Sequence, residues 1–106
     1  MIDKMMERVA ILTGLPKAPP PRKVEVFTFD DMPDQYKKYW AYYDPNTRGI
    51  VLRDDYQHLI PHEITHHLQA RDGTNPISDE AEKQAKWVQS IYWQLWPEDY
   101  DEEWDT

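Results

Sequence analysis

The sequence predicts an α+β domain with an N-terminal helix, a small and mostly antiparallel sheet, a central helix and a C-terminal helix. Apolar residues recur at helical spacing near both ends of the chain, and two runs with strand character flank a turn-forming segment in the middle. A chain of 106 residues, 40% of them hydrophobic, is long enough for one core and too short for two. We therefore assign residues 1–96 to a single domain and residues 97–106 to an acidic C-terminal tail.

The first predicted element is an amphipathic helix over residues 2–12. Gly14 and Pro16 provide signals for its end, and we interpret its apolar face as a packing surface. That face consists of Ile2, Met5, Met6, Val9 and Leu12. The prolines within residues 19–21 then predict an extended connector, because proline removes amide donors and fixes the backbone. We favour a spacer over a proline-rich ligand for another domain.

Strand character begins after this connector. Residues 23–29 alternate in hydrophobicity and predict a first strand. Two further runs, residues 40–43 and 50–53, flank residues 44–49, which contain the Pro, Asn and Gly that favour a turn. These two runs therefore predict a hairpin.

Two helices are predicted after the hairpin. Residues 54–55 are aspartates that can cap a helix running to Gly73. Because Pro61 would bend a helix interior, we expect the helix to begin at residue 59 or 60, which places the proline in its first turn. The last helix is expected over residues 79–96. Its apolar stripe consists of Ala81, Ala85, Val88, Tyr92 and Leu95.

The most informative segment for chemistry is His-Glu-Ile-Thr-His at residues 62–66. Because residues i and i+4 share a helical face, the imidazoles of His62 and His66 point at one place, where they can hold zinc at about 2.0–2.1 Å. Glu63 can accept a proton from a water that attacks a carbonyl. Ile64 is expected to face the core. The chain has no cysteine, so any metal must be held by histidine and carboxylate.

A catalytic zinc site takes three protein ligands and keeps one position open, so a third ligand must come from elsewhere. Glu80 and Glu82 on the last helix are the candidates, and the small Ala85 favours Glu82 because it lets the two helices approach closely. Both stay open, since acids in a first helical turn also cap the helix and complement its dipole. In the HExxHxxGxxD pattern Asp72 would be the ligand. Gln69 replaces the glycine of that pattern, so we expect the helix to carry Asp72 away.

The stretch from residue 53 to residue 88 resembles the gluzincin type of zincin metallopeptidases, in which HExxH is followed on a later helix by a glutamate ligand. Its brevity and element order are similar to those of the minigluzincins. The specific parts of the resemblance are HExxH and the Glu-x-x-Ala of residues 82–85. The resemblance covers about the central third of the chain and implies a minimal zincin-like domain.

The resemblance implies a metallopeptidase in which His62, His66 and Glu82 bind Zn²⁺ and Glu63 is the general base. It also implies that residues Ile50–Arg53 form an edge strand that aligns an extended peptide or protein substrate. The alternative is a non-proteolytic zinc-binding regulatory or interaction protein, because no residue has a spacing that identifies it as the oxyanion stabiliser. A chance HExxH in a metal-free packing domain is a further alternative. The candidates for the oxyanion are His58, His67, Tyr56 and Tyr92.

The net charge of −8 comes largely from the tail, since six of the 20 acidic residues lie in residues 97–106. The rest of the sequence contains 14 acidic residues and 12 Lys and Arg, and the basic residues form no stripe. We therefore expect no nucleic-acid partner. Without a secretory signal or a long apolar stretch, we expect a cytoplasmic protein without membrane contact. The tail is predicted to be solvated. A second interpretation is that it covers the site, with Tyr100 and Trp104, and keeps the enzyme latent.

Overall fold

A computed structural model describes residues 2–28, 30–39 and 41–100, with the side chains of residues 54 and 55 left out. Three helices and a three-stranded sheet form the domain, which confirms the predicted α+β class. In chain order they are α1 (Ile2–Thr13), β1 (Lys23–Phe27), β2 (Ala41–Asp44), β3 (Gly49–Arg53), α2 (Ile60–Arg71) and α3 (Asp79–Leu95). Short 3-10 helices lie at Asp34–Tyr36, Asp54–Leu59 and Pro97–Asp99.

The sheet is mixed, whereas the sequence predicted a mostly antiparallel one. The hairpin of β2 and β3 is confirmed, with Tyr43 opposite Ile50 in antiparallel register. On its other side β3 pairs in parallel with β1, where Val24 lies opposite Ile50. After β1 the chain leaves one strand position empty and forms β2 on its far side. The hairpin then places β3 in that position, between β1 and β2. Residues 29 and 40 of the predicted strands lie outside the described residues.

The strand order β1-β3-β2 corrects one expectation about the site. Ile50–Arg53 belongs to the central strand, so its backbone groups are paired on both sides and cannot receive a further strand. The expected edge strand at these residues is therefore wrong. Among the described strands the edges are β1 and β2, and β2 packs against α2.

The core lies between α1, one face of the sheet and the two later helices. Its fully buried members come from every layer: Met5, Val9, Ile50, Leu52, Ile60, Ile64, Val88 and Tyr92. Ile64 has no exposed surface, which confirms that the residue between Glu63 and Thr65 faces the core. Leu95, the last member of the predicted stripe on α3, is 51% exposed because the helix ends there.

The boundaries of α2 and α3 follow local signals. Pro61 lies in the first turn of α2, where its missing amide hydrogen costs no helical hydrogen bond. After Arg71, Gly73 adopts a φ of +83°, a left-handed conformation that ends the helix. Ser78 caps α3 by accepting a 3.2 Å hydrogen bond from the amide of Ala81. No helix in the described part of the chain is both long and apolar enough to cross a membrane.

The first residues of the predicted tail are packed. Asp99 is 1% exposed, accepts a 2.6 Å hydrogen bond from the Tyr92 hydroxyl, and forms an ion pair with Arg8 of α1. Tyr100 then packs edge-on against Trp93. The packed chain thus extends past the predicted boundary at residue 96. Residues 101–106, including Trp104, lie outside the described residues, so the two interpretations of that segment stay predictions.

Candidate metal centre

Three side chains from two helices converge at one point. Nε2 of His62 lies 3.0 Å from Nε2 of His66, and Oε1 of Glu82 lies 3.1 Å from the first nitrogen and 2.6 Å from the second. The structure therefore brings together His62, His66 and Glu82, three of the four candidate ligands. Glu80, the other nominated glutamate, is exposed and does not belong to this group.

The packing of α2 against α3 explains why Glu82 is the residue that arrives. The helices run in opposite directions, since Gln69 contacts Ala81 near one end and Trp93 contacts the His58 carbonyl near the other. Ala81 and Ala85 are both buried, and their small side chains allow a close approach. Glu82 lies between them in sequence and directs its carboxylate over the histidine face of α2.

The donor set fits a zinc ion. Two imidazole nitrogens, one carboxylate oxygen and an open fourth position are a combination that catalytic zinc sites use. Ligand atoms about 2.0–2.1 Å from a tetrahedral zinc lie roughly 3.3 Å from one another. The observed separations of 2.6 to 3.1 Å are about 0.2 to 0.7 Å shorter than this distance. Rotation of the Glu82 side chain, which is 42% exposed, would lengthen its distances to both rings, while the two rings would have to move apart by about 0.3 Å.

The electrostatics favour the forms that bind metal. Burial, followed by the charge of His66, lowers the pKa of His62, which keeps its imidazole neutral near pH 7. Burial acts to raise the pKa of Glu82, but the two neighbouring imidazoles outweigh it and lower that pKa below its ordinary value. A neutral imidazole and an ionised carboxylate are the states that metal coordination requires.

Glu63 lies beside this group and is 6% exposed. Burial, with a smaller contribution from the charge of Glu82, raises the pKa of its carboxyl to about 8. The group can therefore gain or lose a proton near neutral pH, which is the property that a general base requires.

A cavity of about 640 Å³ opens over these residues. Besides His62, Glu82 and Glu63, it is lined by Tyr39, Ala41, Leu59, Lys86 and Gln89. Ala41 is the first residue of the edge strand β2, so the cavity lies between that edge and the two helices. The arrangement leaves room for a substrate beside the candidate metal position.

Comparison with known proteins assigns the chain to no family. No protein-family model matches the chain, and no curated protein or solved structure matches it either. The resemblance to gluzincins therefore stays a prediction from residues 62–66 and Glu82.

Several residues of the cavity were not identified from the sequence. Lys86 and Gln89 follow Glu82 by four and seven residues, so they lie on the same face of α3. Helical periodicity could have found both once Glu82 was chosen. Tyr39 precedes β2 and reaches the cavity through the course of the chain, for which the sequence carries no local signal.

His67, one of the candidates for the oxyanion, lies neither at the surface nor beside the candidate metal ligands. It is 1% exposed, with Nε2 2.7 Å from the Pro19 carbonyl and Nδ1 2.9 Å from the Tyr43 hydroxyl. Because a carbonyl only accepts, Nε2 carries the hydrogen and Nδ1 accepts from the tyrosine. Burial lowers the pKa of His67, and the ring joins the proline connector to the sheet.

The other oxyanion candidates also lie away from the cavity lining. Tyr92 is fully buried and donates its hydroxyl hydrogen to Asp99. Tyr56 packs near Arg53 and His58, on the 3-10 helix before α2. None of the four predicted candidates thus faces the substrate side of the candidate centre.

Proposed function

We propose that the protein is a zinc-dependent metallopeptidase, with His62, His66 and Glu82 as metal ligands and Glu63 as general base. The observation that carries the proposal is the convergence of two imidazole nitrogens and one carboxylate oxygen within 3.1 Å of one another, beside a buried carboxyl and an open cavity. Lone pairs at such separations repel unless a cation or a shared hydrogen lies between them.

A hydrogen-bonded cluster without metal is a weaker account of the same contacts. A neutral ring can donate from Nε2, but hydrogens on both Nε2 atoms would face each other across 3.0 Å, and a hydrogen on only one of them leaves the other ring without a donor to Glu82. A zinc ion satisfies all three donors at once without protonating either ring.

The residues of the chain have separate roles in this proposal. A zinc ion held by these residues would polarise the scissile carbonyl and lower the pKa of a water toward about 7. Glu63 accepts the proton from that water and passes it to the leaving amine. Tyr39 and Gln89 are uncharged hydrogen-bond donors in the cavity lining and are available to the developing oxyanion.

The substrate in this proposal is an extended peptide held along β2. This strand is a sheet edge among the described strands, and Ala41 at its start lines the cavity. An exposed edge offers backbone donors and acceptors that an extended peptide can pair with. We therefore assign to β2 the aligning role that the resemblance implied for Ile50–Arg53.

The test separates metal binding from turnover by means of Glu63→Gln. We expect wild-type protein to bind one equivalent of zinc and to cleave peptides from a fluorogenic library. Glu63→Gln should keep the zinc and lose about 10²- to 10⁴-fold in rate, because it removes the base and no ligand. Glu80→Gln is the matched control, since it makes the same change on an exposed residue outside the group.

Two outcomes would contradict the proposal in different ways. Wild-type protein that holds no zinc after reconstitution would exclude a metallopeptidase. One equivalent of zinc without any hydrolysis would favour the second candidate function, a non-proteolytic zinc-binding interaction protein. The observation that favours this candidate is that none of the predicted oxyanion residues lines the cavity.

A further inference from the structure

Gln69 lies directly behind the candidate metal centre, on the side that faces the core. Its side chain is buried, with 1% of the residue exposed. Oε1 lies 3.0 Å from Nδ1 of His66, while Nε2 lies 3.0 Å from the carbonyl oxygen of Ala81 and 2.9 Å from Oε1 of Gln84. One amide thus connects a candidate ligand on α2 to the backbone of α3.

The Ala81 carbonyl fixes the orientation of this amide. A backbone carbonyl can only accept a hydrogen bond, so the group that faces it must be the NH₂ of Gln69. Turning the amide over would place the Gln69 oxygen 3.0 Å from the Ala81 carbonyl oxygen, where two acceptors repel each other. The oxygen of Gln69 must therefore face His66.

This orientation determines where the hydrogen of His66 resides. The amide oxygen of Gln69 only accepts, so Nδ1 of His66 must donate to it. A neutral imidazole with its hydrogen on Nδ1 has its lone pair on Nε2. Nε2 is the atom that faces His62 and Glu82.

We infer that Gln69 is a positioning residue that sets the tautomer and ring orientation of His66 for metal binding. The inference rests on the proposed metal site and deepens it. The same amide holds the carbonyl of Ala81, the residue immediately before Glu82, and so ties two ligands on different helices to one buried group. A residue that locks a metal-ligating imidazole in this way raises the affinity for metal without touching the ion.

His62 has no equivalent partner on Nδ1, although its ring also forms a hydrogen bond with Gln89. Its Nδ1 is buried and has no hydrogen-bond partner in the part of the chain that the structure describes. His66 is thus the histidine of the pair whose Nδ1 is held by a buried partner.

The first test measures the tautomer in metal-free protein. Long-range ¹H–¹⁵N spectra, recorded at about pH 8, distinguish ring nitrogens that carry a hydrogen from those that do not. We expect wild-type His66 to carry its hydrogen on Nδ1 and Gln69→Leu to lose that preference. Gln69→Glu keeps an acceptor beside Nδ1, so it should restore the tautomer while losing the donor to Ala81.

The second test measures zinc affinity by competition with a chelator. Gln69→Leu should weaken binding about 10- to 100-fold, the usual effect of removing a group that orients a metal ligand. Thr65→Val is the matched control, because this residue is fully buried on the same helix and loses a 2.8 Å hydrogen bond to the Pro61 carbonyl. It should lower stability and leave zinc affinity within about twofold of wild type.

The outcomes separate this inference from the proposed function. Equal zinc affinities for Gln69→Leu and Thr65→Val, or a wild-type His66 with its hydrogen on Nε2, would overturn the role of Gln69. Wild-type protein that binds no zinc would remove the metal site. In that case, comparing the His66 tautomer in metal-free wild type and in metal-free Gln69→Leu still tests whether Gln69 determines that tautomer.

Discussion

Glu63 should make the stability of the metal-free protein fall as the pH rises. The residue is 6% exposed, and burial raises the pKa of its carboxyl from 4.5 to about 8. The folded protein therefore holds this proton more tightly than the unfolded chain does. The sign follows from linkage: the stabilisation is complete below about pH 4.5 and is lost as the pH rises toward 8. Glu63→Gln is neutral throughout and removes the effect.

The magnitude is large enough to measure. Each pH unit between the folded and unfolded pKa of Glu63 corresponds to about 1.4 kcal/mol, so the full loss approaches about 5 kcal/mol. Between about pH 5.5 and 8.5, the linkage relation gives a loss of about 3 kcal/mol in the free energy of unfolding. Domains of this size are typically stable by about 5 to 15 kcal/mol.

The assay is urea unfolding of chelator-treated wild type and Glu63→Gln at both pH values. Burial lowers the pKa of both His62 and His67, so their titration raises stability as the pH increases through the lower part of this range. The two proteins share these contributions, and the difference between them isolates Glu63. The same pH dependence in both proteins would show that the Glu63 carboxyl is not held neutral by the fold.

Three further predictions concern the ligands, the buried histidine and the core. Glu82→Ala should weaken zinc binding by more than the roughly 100-fold expected for a group that only orients a ligand, while Glu80→Ala should leave zinc binding unchanged. Equal losses of affinity in a chelator competition would exclude Glu82 as the specific ligand. Tyr43→Phe leaves Nδ1 of His67 without its donor and should cost about 1–3 kcal/mol, measured by urea unfolding, and no loss would mean that water replaces the hydroxyl. Ile64→Ala creates a cavity at a fully buried site and should cost about 2–5 kcal/mol, and a loss below about 1 kcal/mol would contradict its place in the core.

Much of the fold could be predicted because its signals are local. The apolar stripes of α1 and α3 follow helical periodicity, and the hairpin follows from the turn residues between β2 and β3. Pro61 indicated the start of α2 because its backbone is compatible only with a first turn. The position of β3 in the sheet carried no such signal, since strand order depends on where distant segments meet.

The residues of the candidate site also fall into two groups, those that local geometry predicts and those that helix packing determines. His62, Glu63 and His66 were placed together by the sequence alone, because the geometry of one helical turn aligns residues four apart in any fold. The choice between Glu80 and Glu82 was left to the packing of two helices, since a rotation of α3 would exchange them. Ser78 caps α3, and the buried alanines of α3 determine which glutamate faces α2.

The sequence by itself determined the helix that carries the chemistry, the chemical types of the candidate ligands and the general order of elements, all of which depend on short-range geometry. Only the tertiary structure decided that Glu82 completes the group and that β2, not β3, borders the cavity. It also decided that Gln69 orients toward His66, because the carbonyl of Ala81 that fixes this amide comes from another helix. Contacts between residues distant in the chain arise from packing, and no local pattern encodes them.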